Sequence, residues 1–445
     1  MKKIVILLVS VFFVTACGNK GGVGSGGSKK GFEAQPENMI PVPRGSFEMG
    51  SNDEDVVWAM NAPLRRRTVD AFWMDQTEVT NLAYRQFVGW TTDSIARRIL
   101  SKGDDAFIIE EEDDEEDVDE DEVPLNYKPR IAMSPKQKGY DDHYPALKEA
   151  EFFYSRQDAL GQKRVIDPRN IYYKYRWYDL QKAALSKWDP ETKRYTGTTT
   201  DAEGNTVEIE GRNTFIVEEN VAIYPDTLVW IRDFHLSFND PMAVSYFWHP
   251  GYDYYPVVGV SWKQATAFCD WRSRHAKEKR YRNQYPPLSY RLPTEVEFEY
   301  ASRGGLEGNL YPWGSMYNSN QSGCFLANFK PQRGDYSLDG FTRTAPVAQY
   351  EPNEFGLYDM AGNVSEWVSD AYDENAYEAT HDLVPVYHYN AKTKDKPSKK
   401  RKVVRGGSWK DFAYFLQCGA RNYEGQDSTR SYIGFRTVRD IINYN

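Results

Sequence analysis

Gly356-Leu-Tyr-Asp-Met-Ala-Gly-Asn-Val-Ser-Glu-Trp367 lies in the most heavily punctuated part of the chain. Around it fall Gly304-Gly305, Pro312, Gly314, Gly340, Pro346 and Gly406-Gly407. Glycine and proline at that density interrupt regular structure, so long irregular segments joined by a few helices and short strands are expected. Two helix starts lie just upstream. Thr294-Glu-Val-Glu297 has the spacing of a capping box and leads into Phe298 and Ala301. Ser261-Trp-Lys-Gln264 has it too, and Trp262, Ala265, Phe268, Cys269 and Arg272 then fall on one face at helical spacing. Earlier still, Phe72-Trp-Met-Asp-Gln-Thr-Glu-Val79 alternates enough for a strand. A helix follows with Thr80 as N-cap and Leu82, Ala83, Phe87 and Val88 on its apolar side. The folded part is expected to begin near Met39, where Ile40 to Gly50 reads as a short strand with turns. No internal repeat is visible.

The chain has 445 residues, room for one large domain or two ordinary ones. With 40% apolar and 27% charged residues, collagen, coiled coil and wholesale disorder are excluded. Aromatics reach 15%, and large flat side chains can fill a core with little regular structure. The net charge of -10 is concentrated, because 12 of the 13 residues from Glu110 to Glu122 are acidic. The remainder is nearly neutral and lacks the basic stripe of a nucleic-acid binder, so no nucleic-acid role is expected. The acidic run reads as a solvated loop, with a calcium buffer or a docking tail for a basic partner as the functional alternative. Lys392 to Lys402 carries seven basic residues in eleven and also reads as an exposed loop. A bridge between the two runs, within or between copies, is a further possibility.

Lys2 and Lys3 precede an apolar stretch, Ile4 to Ala16, of 13 residues. A membrane span needs about 20, so residues 1–16 read as a signal peptide. Val14-Thr-Ala-Cys17 resembles a bacterial lipobox, which makes Cys17 the lipidated first residue of the mature chain. Residues 17–38 form a glycine-rich tether of random-coil character. No acidic residue adjoins Cys17, which favours the periplasmic face of the outer membrane. Export implies an oxidising space, where Cys269, Cys324 and Cys418 allow at most one internal disulfide and leave one thiol over. The six histidines show neither HxH nor HExxH spacing, so a zinc site is not expected.

Several strings together resemble the formylglycine-generating-enzyme (sulfatase-modifying factor) domain. They are Gly45-Ser-Phe-Glu-Met-Gly50, Glu78-Val-Thr-Asn81, Val258-Gly-Val-Ser-Trp262 with Ala267-Phe-Cys-Asp-Trp271, and Arg291-Leu-Pro-Thr-Glu-Val-Glu-Phe-Glu-Tyr-Ala301. Tyr311-Pro-Trp-Gly314, the 356–367 stretch, Arg405-Gly-Gly-Ser-Trp409 and Gly434-Phe-Arg436 complete the set, in the family's order. The resemblance implies an α+β, C-type-lectin-like fold of low regular secondary structure over residues 39–440, with an insertion at about 101–250. It also implies two structural calcium sites. One would use Asn328, Phe329, Asp339 and Phe341, the aromatic positions through their carbonyls. The other would use Asp359, Gly362, Val364 and Glu366. Oxygen donors of this kind suit a hard cation.

Active members oxidise a substrate cysteine with two copper-binding cysteines after the Gly-Gly-Ser-aromatic string. Here that stretch is Lys410-Asp-Phe-Ala-Tyr-Phe-Leu-Gln417, with no cysteine and with Asp411 at the first catalytic position. Soft sulfur is the donor Cu(I) needs, so no copper, no catalytic residue and no oxidase activity are expected. Cys418 matches the family's structural cysteine and Cys269 its partner, which implies a Cys269–Cys418 disulfide with Cys324 left free.

A second set of strings extends the resemblance: Arg85-Gln-Phe-Val-Gly-Trp90, Asp93-Ser-Ile-Ala-Arg-Arg98, Trp230-Ile-Arg-Asp-Phe234, Asn239-Asp-Pro-Met242 and Tyr246-Phe-Trp-His-Pro-Gly-Tyr-Asp253. With the lipobox, these resemble the PorK/GldK lipoproteins of the type IX secretion (gliding motility) system. That implies a lipid-anchored periplasmic ring, built by self-association with a soluble PorN/GldN-type partner and other components of the system. Ile171-Tyr-Tyr-Lys-Tyr-Arg-Trp-Tyr178 concentrates the residue types that interfaces favour, and Tyr175 and Trp177 are its candidate partner-binding residues. A buried strand or helix face explains the segment equally well. The rival functions are an enzyme of altered chemistry using Asp411, and a lectin-like module for glycans or peptidoglycan. The related lipoprotein GldJ is a variant of the leading reading.

Overall fold

A computed structural model describes residues 35–441 apart from 52–61, 110–123, 133–134, 156, 159–164, 201–205, 210, 235–239, 281–288 and 332–336. The expected signal peptide, Cys17, nearly all of the tether and the acidic run lie outside the described residues.

The two ends of the described chain share one sheet. Met39–Val42 pairs with Phe72–Asp75, which pairs with Val438–Asp440, which pairs in turn with Tyr290–Arg291, each antiparallel. Phe72–Asp75 is buried at every position, as a strand flanked on both sides must be. A second sheet runs Asn422–Gly425, Arg401–Arg405, Ser365–Ala371, Ile433–Gly434, its last pair parallel. Among the described residues 27% are helical and 22% are in strands, an α+β mixture.

The three helix starts read from the sequence are formed. Thr80 Oγ1 accepts from the Ala83 N–H at the head of helix Asn81–Ser101. Both halves of the capping box close at Ser261/Gln264, before helix Trp262–Arg280, and at Thr294/Glu297, before helix Glu295–Arg303. The first two helices meet through aromatic rings: Tyr84 stacks on Phe268 at 5.7 Å and Phe87 lies 5.3 Å from Trp271. The predicted inner face of Trp262–Arg280 buries Ala265, Phe268 and Cys269, while Arg272 turns its charge onto Asp75 at 2.7 Å.

Helix Glu295–Arg303 is buried along its whole length, charges included. Glu299 is 0% exposed. Its carboxylate accepts from Arg303 on the same helix, from Arg405 on the second sheet, and from the Gly50 N–H at 2.8 Å. Glu295, one turn earlier, binds both Arg421 and Arg405. Carboxylates at this depth persist only when guanidinium forks satisfy them, and here each has two.

Three expectations are corrected. Cys269 and Cys418 form no disulfide, and both are buried free thiols. Cys269 faces the aromatic core from the middle of its helix, whereas Cys418 is held elsewhere: its Sγ accepts from Ser302 Oγ at 3.4 Å and its carbonyl binds Arg405. Tyr175 and Trp177 do not face outward. Strand Tyr172–Tyr178 pairs with Ile216–Ala222, and its alternation turns Tyr173 and Tyr175 into the core while Tyr172, Lys174 and Arg176 are exposed. Tyr175 is 5% exposed and Trp177 packs against the same cluster, so the side of the strand open to solvent is the opposite set of residues. Finally, the basic stretch 392–402 is not exposed throughout. Lys402 joins strand Arg401–Arg405 and is 1% exposed, its ammonium over the Trp262 ring at 3.8 Å and bonded to the Tyr389 carbonyl.

Two predictions follow from these placements. Alkylation of the non-reduced native protein should modify Cys324 alone of these three thiols, and denaturation without reductant should release Cys269 and Cys418. Peptide mapping that recovers a 269–418 crosslink would refute this. Burial lowers the Lys402 ammonium to about 8, against about 10.4 in an unfolded chain. Between these values the unfolded chain holds the extra proton, so Lys402 adds stability as pH rises through that window and takes it away as pH falls through the folded value. Urea unfolding of the Lys402→Met variant should lose that rise, a difference of about 1–3 kcal/mol between pH 7.5 and pH 10.

Candidate cation centre and the altered loop

The two expected calcium sets occupy adjoining turns. Asp339 accepts from the Phe329 N–H at 2.7 Å and from the Phe341 N–H at 3.2 Å, which ties three of the first four residues into one turn. Asn328 completes that group. Its amide nitrogen donates to the Arg343 carbonyl at 2.8 Å, and its buried Oδ1 has no hydrogen-bond partner. In the second set, Gly362 approaches so closely that a Cβ there would lie 2.5 Å from the Asn328 carbonyl. Its φ of +83° is a second reason for glycine at this point. Asn363 then joins the turns, donating its N–H to the Asn328 carbonyl and accepting at Oδ1 from the Asn328 amide.

Charge at the second set is unbalanced. Glu366 gives both oxygens to Arg436, with contacts of 2.7–3.0 Å. Asp359 accepts from the Ala348 N–H at 2.7 Å, and burial lifts its carboxyl to about 6. Glu78 is 1% exposed, and burial raises it well above the usual carboxylate range, with Asp359 and Glu366 adding repulsion. Its Oε2 meets the Asn363 amide at 3.4 Å, and its Oε1 is buried without a partner. Three buried carboxylates thus face one guanidinium, Arg436. The structure brings Asp359, Gly362, Val364 and Glu366 together on one short stretch, but it commits Glu366 to Arg436 and adds Glu78. Glu78 lies three residues beyond strand Phe72–Asp75 and is not among the residues expected to hold an ion.

Among the described residues no three His, Cys, Asp or Glu side chains stand in metal-binding geometry by themselves. A cation here would draw on carbonyl and amide oxygens as well. The donors fit one: they are all oxygen, two of them (Glu78 Oε1 and Asn328 Oδ1) are unpartnered, and the negative charge exceeds the positive.

The loop after strand Arg401–Arg405 lies beside this centre, joined to it by the bond from the Gly362 N–H to the Gly406 carbonyl. Gly407 has φ +69°, and a Cβ there would lie 2.6 Å from the Phe415 carbonyl, so the loop folds back on itself. Ser408 Oγ donates to Asp411 Oδ2 at 2.6 Å, and the Asp411 carbonyl accepts from the Lys330 N–H. Asp411 is a loop brace with its carboxylate already bonded. The Trp409 indole stacks against Trp230 at 6.1 Å and Phe234 at 5.7 Å. Arg343 lies 4.4 Å over the Phe234 ring and is paired to Asp240 at 2.9 Å. Residues 229–234 are therefore packed over the indole at the start of the loop, in one cluster with Ala243 and Tyr246.

Neither buried cysteine is prepared as a metal-binding thiolate. Burial pushes the Cys418 thiol up to about 11 and raises Cys269 further. A soft-metal ligand needs the opposite shift. Cys324 is exposed and is a neighbour in sequence to neither.

Comparison with known proteins places this architecture. The profile of the sulfatase-modifying factor enzyme 1-like domain matches residues 27–144 and 244–441, leaving 145–243 between the matched segments. The formylglycine-generating enzyme of Bos taurus is 27% identical over 423 residues, covering 93% of this chain and 77% of that protein. The inactive C-alpha-formylglycine-generating enzyme 2 of the same species is 35% identical over 177 residues, covering 40% of this chain and 44% of that one. The solved structure of PvdO from Pseudomonas aeruginosa aligns over 90% of this chain and 94% of its own, with a TM-score of 0.44 and 19% identity. On the extent of the profile match, the chain belongs to the family of the sulfatase-modifying factor enzyme 1-like domain, which includes both active formylglycine-generating enzymes and inactive paralogues.

Proposed function

We propose that this protein is a non-catalytic structural lipoprotein of the type IX secretion system. In this reading it is anchored through Cys17 to the periplasmic face of the outer membrane and assembles into a ring with a PorN/GldN-type partner. It would support protein secretion and, where the organism glides, motility. The observation that carries the non-catalytic half is the loop 410–417. It holds no sulfur, its Asp411 is bonded to Ser408, and aromatic residues of 229–234 pack on Trp409. A copper-dependent oxidase needs two thiolates there, and no neighbouring group can replace them. The lipobox and the strings from Arg85 to Asp253 support the anchored, assembled half. Similarity to a formylglycine-generating enzyme over 93% of this chain favours a second reading, an enzyme of altered chemistry on the same fold.

The test is fractionation with a chemical control. Detergent extracts of membranes should carry the protein in a very large complex with one dominant soluble partner, and Cys17→Ser should move it off the membrane. The purified protein should neither bind copper stoichiometrically nor form aldehyde on a cysteine-containing sulfatase peptide. Aldehyde formation would establish the second reading; a freely soluble native monomer would dismiss the first.

Calcium belongs to the same proposal. The oxygen cluster around Glu78, Asn328 and Asp359 would hold one hard cation in a structural role, tying the turns 328–341 and 359–366 together. Calcium should raise the melting temperature by several degrees over a chelated sample, and Glu78→Gln should reduce that difference. Identical melting curves with calcium and with chelator would remove the ion from the account.

A further inference from the structure

The basic stretch that ends at the buried Lys402 leaves four cations outside. Lys396 and Lys399 are exposed, and Lys400 and Arg401 are half-buried. None of the four forms an ion pair among the described residues. Uncharged groups hold three of them. The Lys399 ammonium lies 5.3 Å from the centre of the Tyr389 ring, Lys400 Nζ donates to the Thr393 carbonyl at 2.7 Å, and the Arg401 guanidinium lies 4.1 Å over Tyr423. Two carboxylates are close by in the chain or the sheet. Asp395 accepts from Tyr389 Oη at 3.0 Å and from the Lys392 N–H at 2.8 Å. Glu424, opposite Lys402 on the neighbouring strand, is paired with Arg430. The patch Lys396–Arg401 therefore keeps a positive excess in a chain whose net charge is -10.

The complementary charge belongs to the same sequence. The 12 acidic residues of Glu110–Glu122 fall between Ile109 and Pro124, whose N–H and carbonyl are bonded to each other at 2.9 Å. That base lies towards the far end of helix Asn81–Ser101, where Phe107 meets Arg97. The patch lies at the opposite end of helix Trp262–Arg280, where Lys402 sits on Trp262. The two helices run side by side in the same direction, since Tyr84 pairs with Phe268 and Phe87 with Trp271. At about 1.5 Å per residue, the lengths from Phe87 to Arg97 and from Trp271 back to Trp262 put base and patch roughly 28 Å apart. A segment of this length, fixed at both ends, reaches about 24 Å when fully extended. The run therefore falls short of the patch on its own chain.

We propose that the acidic run of one copy docks on the Lys396–Arg401 patch of the next, a head-to-tail contact between two copies of this chain. Run and patch are different surfaces, so the contact is heterologous, and repeated about a closed rotation it makes a ring. This deepens the assembly proposed for the protein and rests on that reading for self-association alone. Exposed charge pairs are weak singly, so the contact draws on many carboxylates meeting several cations, and salt screens it. Opposite charge also orients the two copies as they meet.

Sedimentation velocity on the whole mature chain carrying Cys17→Ser, and so free of acyl groups, decides it. The protein should associate at low salt and dissociate as salt is added. One variant replaces the acidic residues of 110–122 by Asn and Gln; another carries Lys396→Glu with Lys399→Glu. Each alone should sediment as a monomer. Their equimolar mixture should recover pairs and stop there, because the intact run of the second meets the intact patch of the first. Both lysines are exposed, and an unchanged near-UV circular dichroism spectrum confirms that the variants fold. The proposal fails if the parent chain stays monomeric at low salt, if either variant associates as the parent does, or if the mixture recovers nothing. A monomeric parent that binds phosphatidylglycerol vesicles, and loses them on the lysine reversals, would give the patch to anionic lipid instead. A very large membrane complex that persists with both variants would leave the ring standing and remove this contact from it.

Discussion

The fold depends on the carboxylate of Glu299, which no water reaches. It gathers Arg303 from its own helix, Arg405 from the second sheet and the backbone of Gly50 from near the start of the described chain. Arg405 in turn holds the carbonyls of Cys418 and Ala420, and Glu295 draws in Arg421. Four segments far apart in sequence are thus fixed around a single buried charge. Removing one member of such a group leaves its partners charged and dry, which typically costs about 3–5 kcal/mol. In a fold of short strands and long turns, these forks supply the register that an extended hydrogen-bonded sheet would supply elsewhere. A parallel arrangement recurs at the first sheet, where Asp75 receives Arg272 and Thr437.

The buried forks, like the oxygen-lined turns around Asn328, Asp359 and Gly362, are built from residues outside the loop at 410–417. That loop is closed on itself by Gly407 and braced by Ser408 and Asp411. Trp409, just before it, packs against Trp230 and Phe234. Its buried cysteines are poor nucleophiles because burial favours the neutral thiol.

Between the segments matched by the family profile lie residues 145–243. They contribute the ribbon Tyr172–Tyr178/Ile216–Ala222 and the helix Val229–Asp233. The ribbon packs its tyrosines into the central aromatic core through Tyr173 and Tyr175. The helix covers Trp409 through Trp230. The ribbon and the helix are integrated into the core rather than hung from the surface, and the ribbon brings its own outward face of Tyr172, Lys174 and Arg176.

The helix starts were legible in the sequence because caps are local: Thr80, Ser261 and Thr294 bond to atoms three residues away, and spacing alone reveals them. The loop without sulfur was legible for the same reason, as the identity of residues 410–417 is all that question needs. The family resemblance likewise rested on linear strings. Tertiary structure decided everything that depends on which side of an element meets which neighbour. It turned Tyr175 and Trp177 inward and Lys174 and Arg176 outward, because a strand's two faces are indistinguishable until something packs on one. It separated Cys269 from Cys418 by placing them in different packing environments. It buried Lys402 under Trp262 within a run that composition alone makes look solvated. And it set Glu78 among Asp359, Glu366 and Arg436, which lie far away along the chain, a meeting that only long-range packing can arrange.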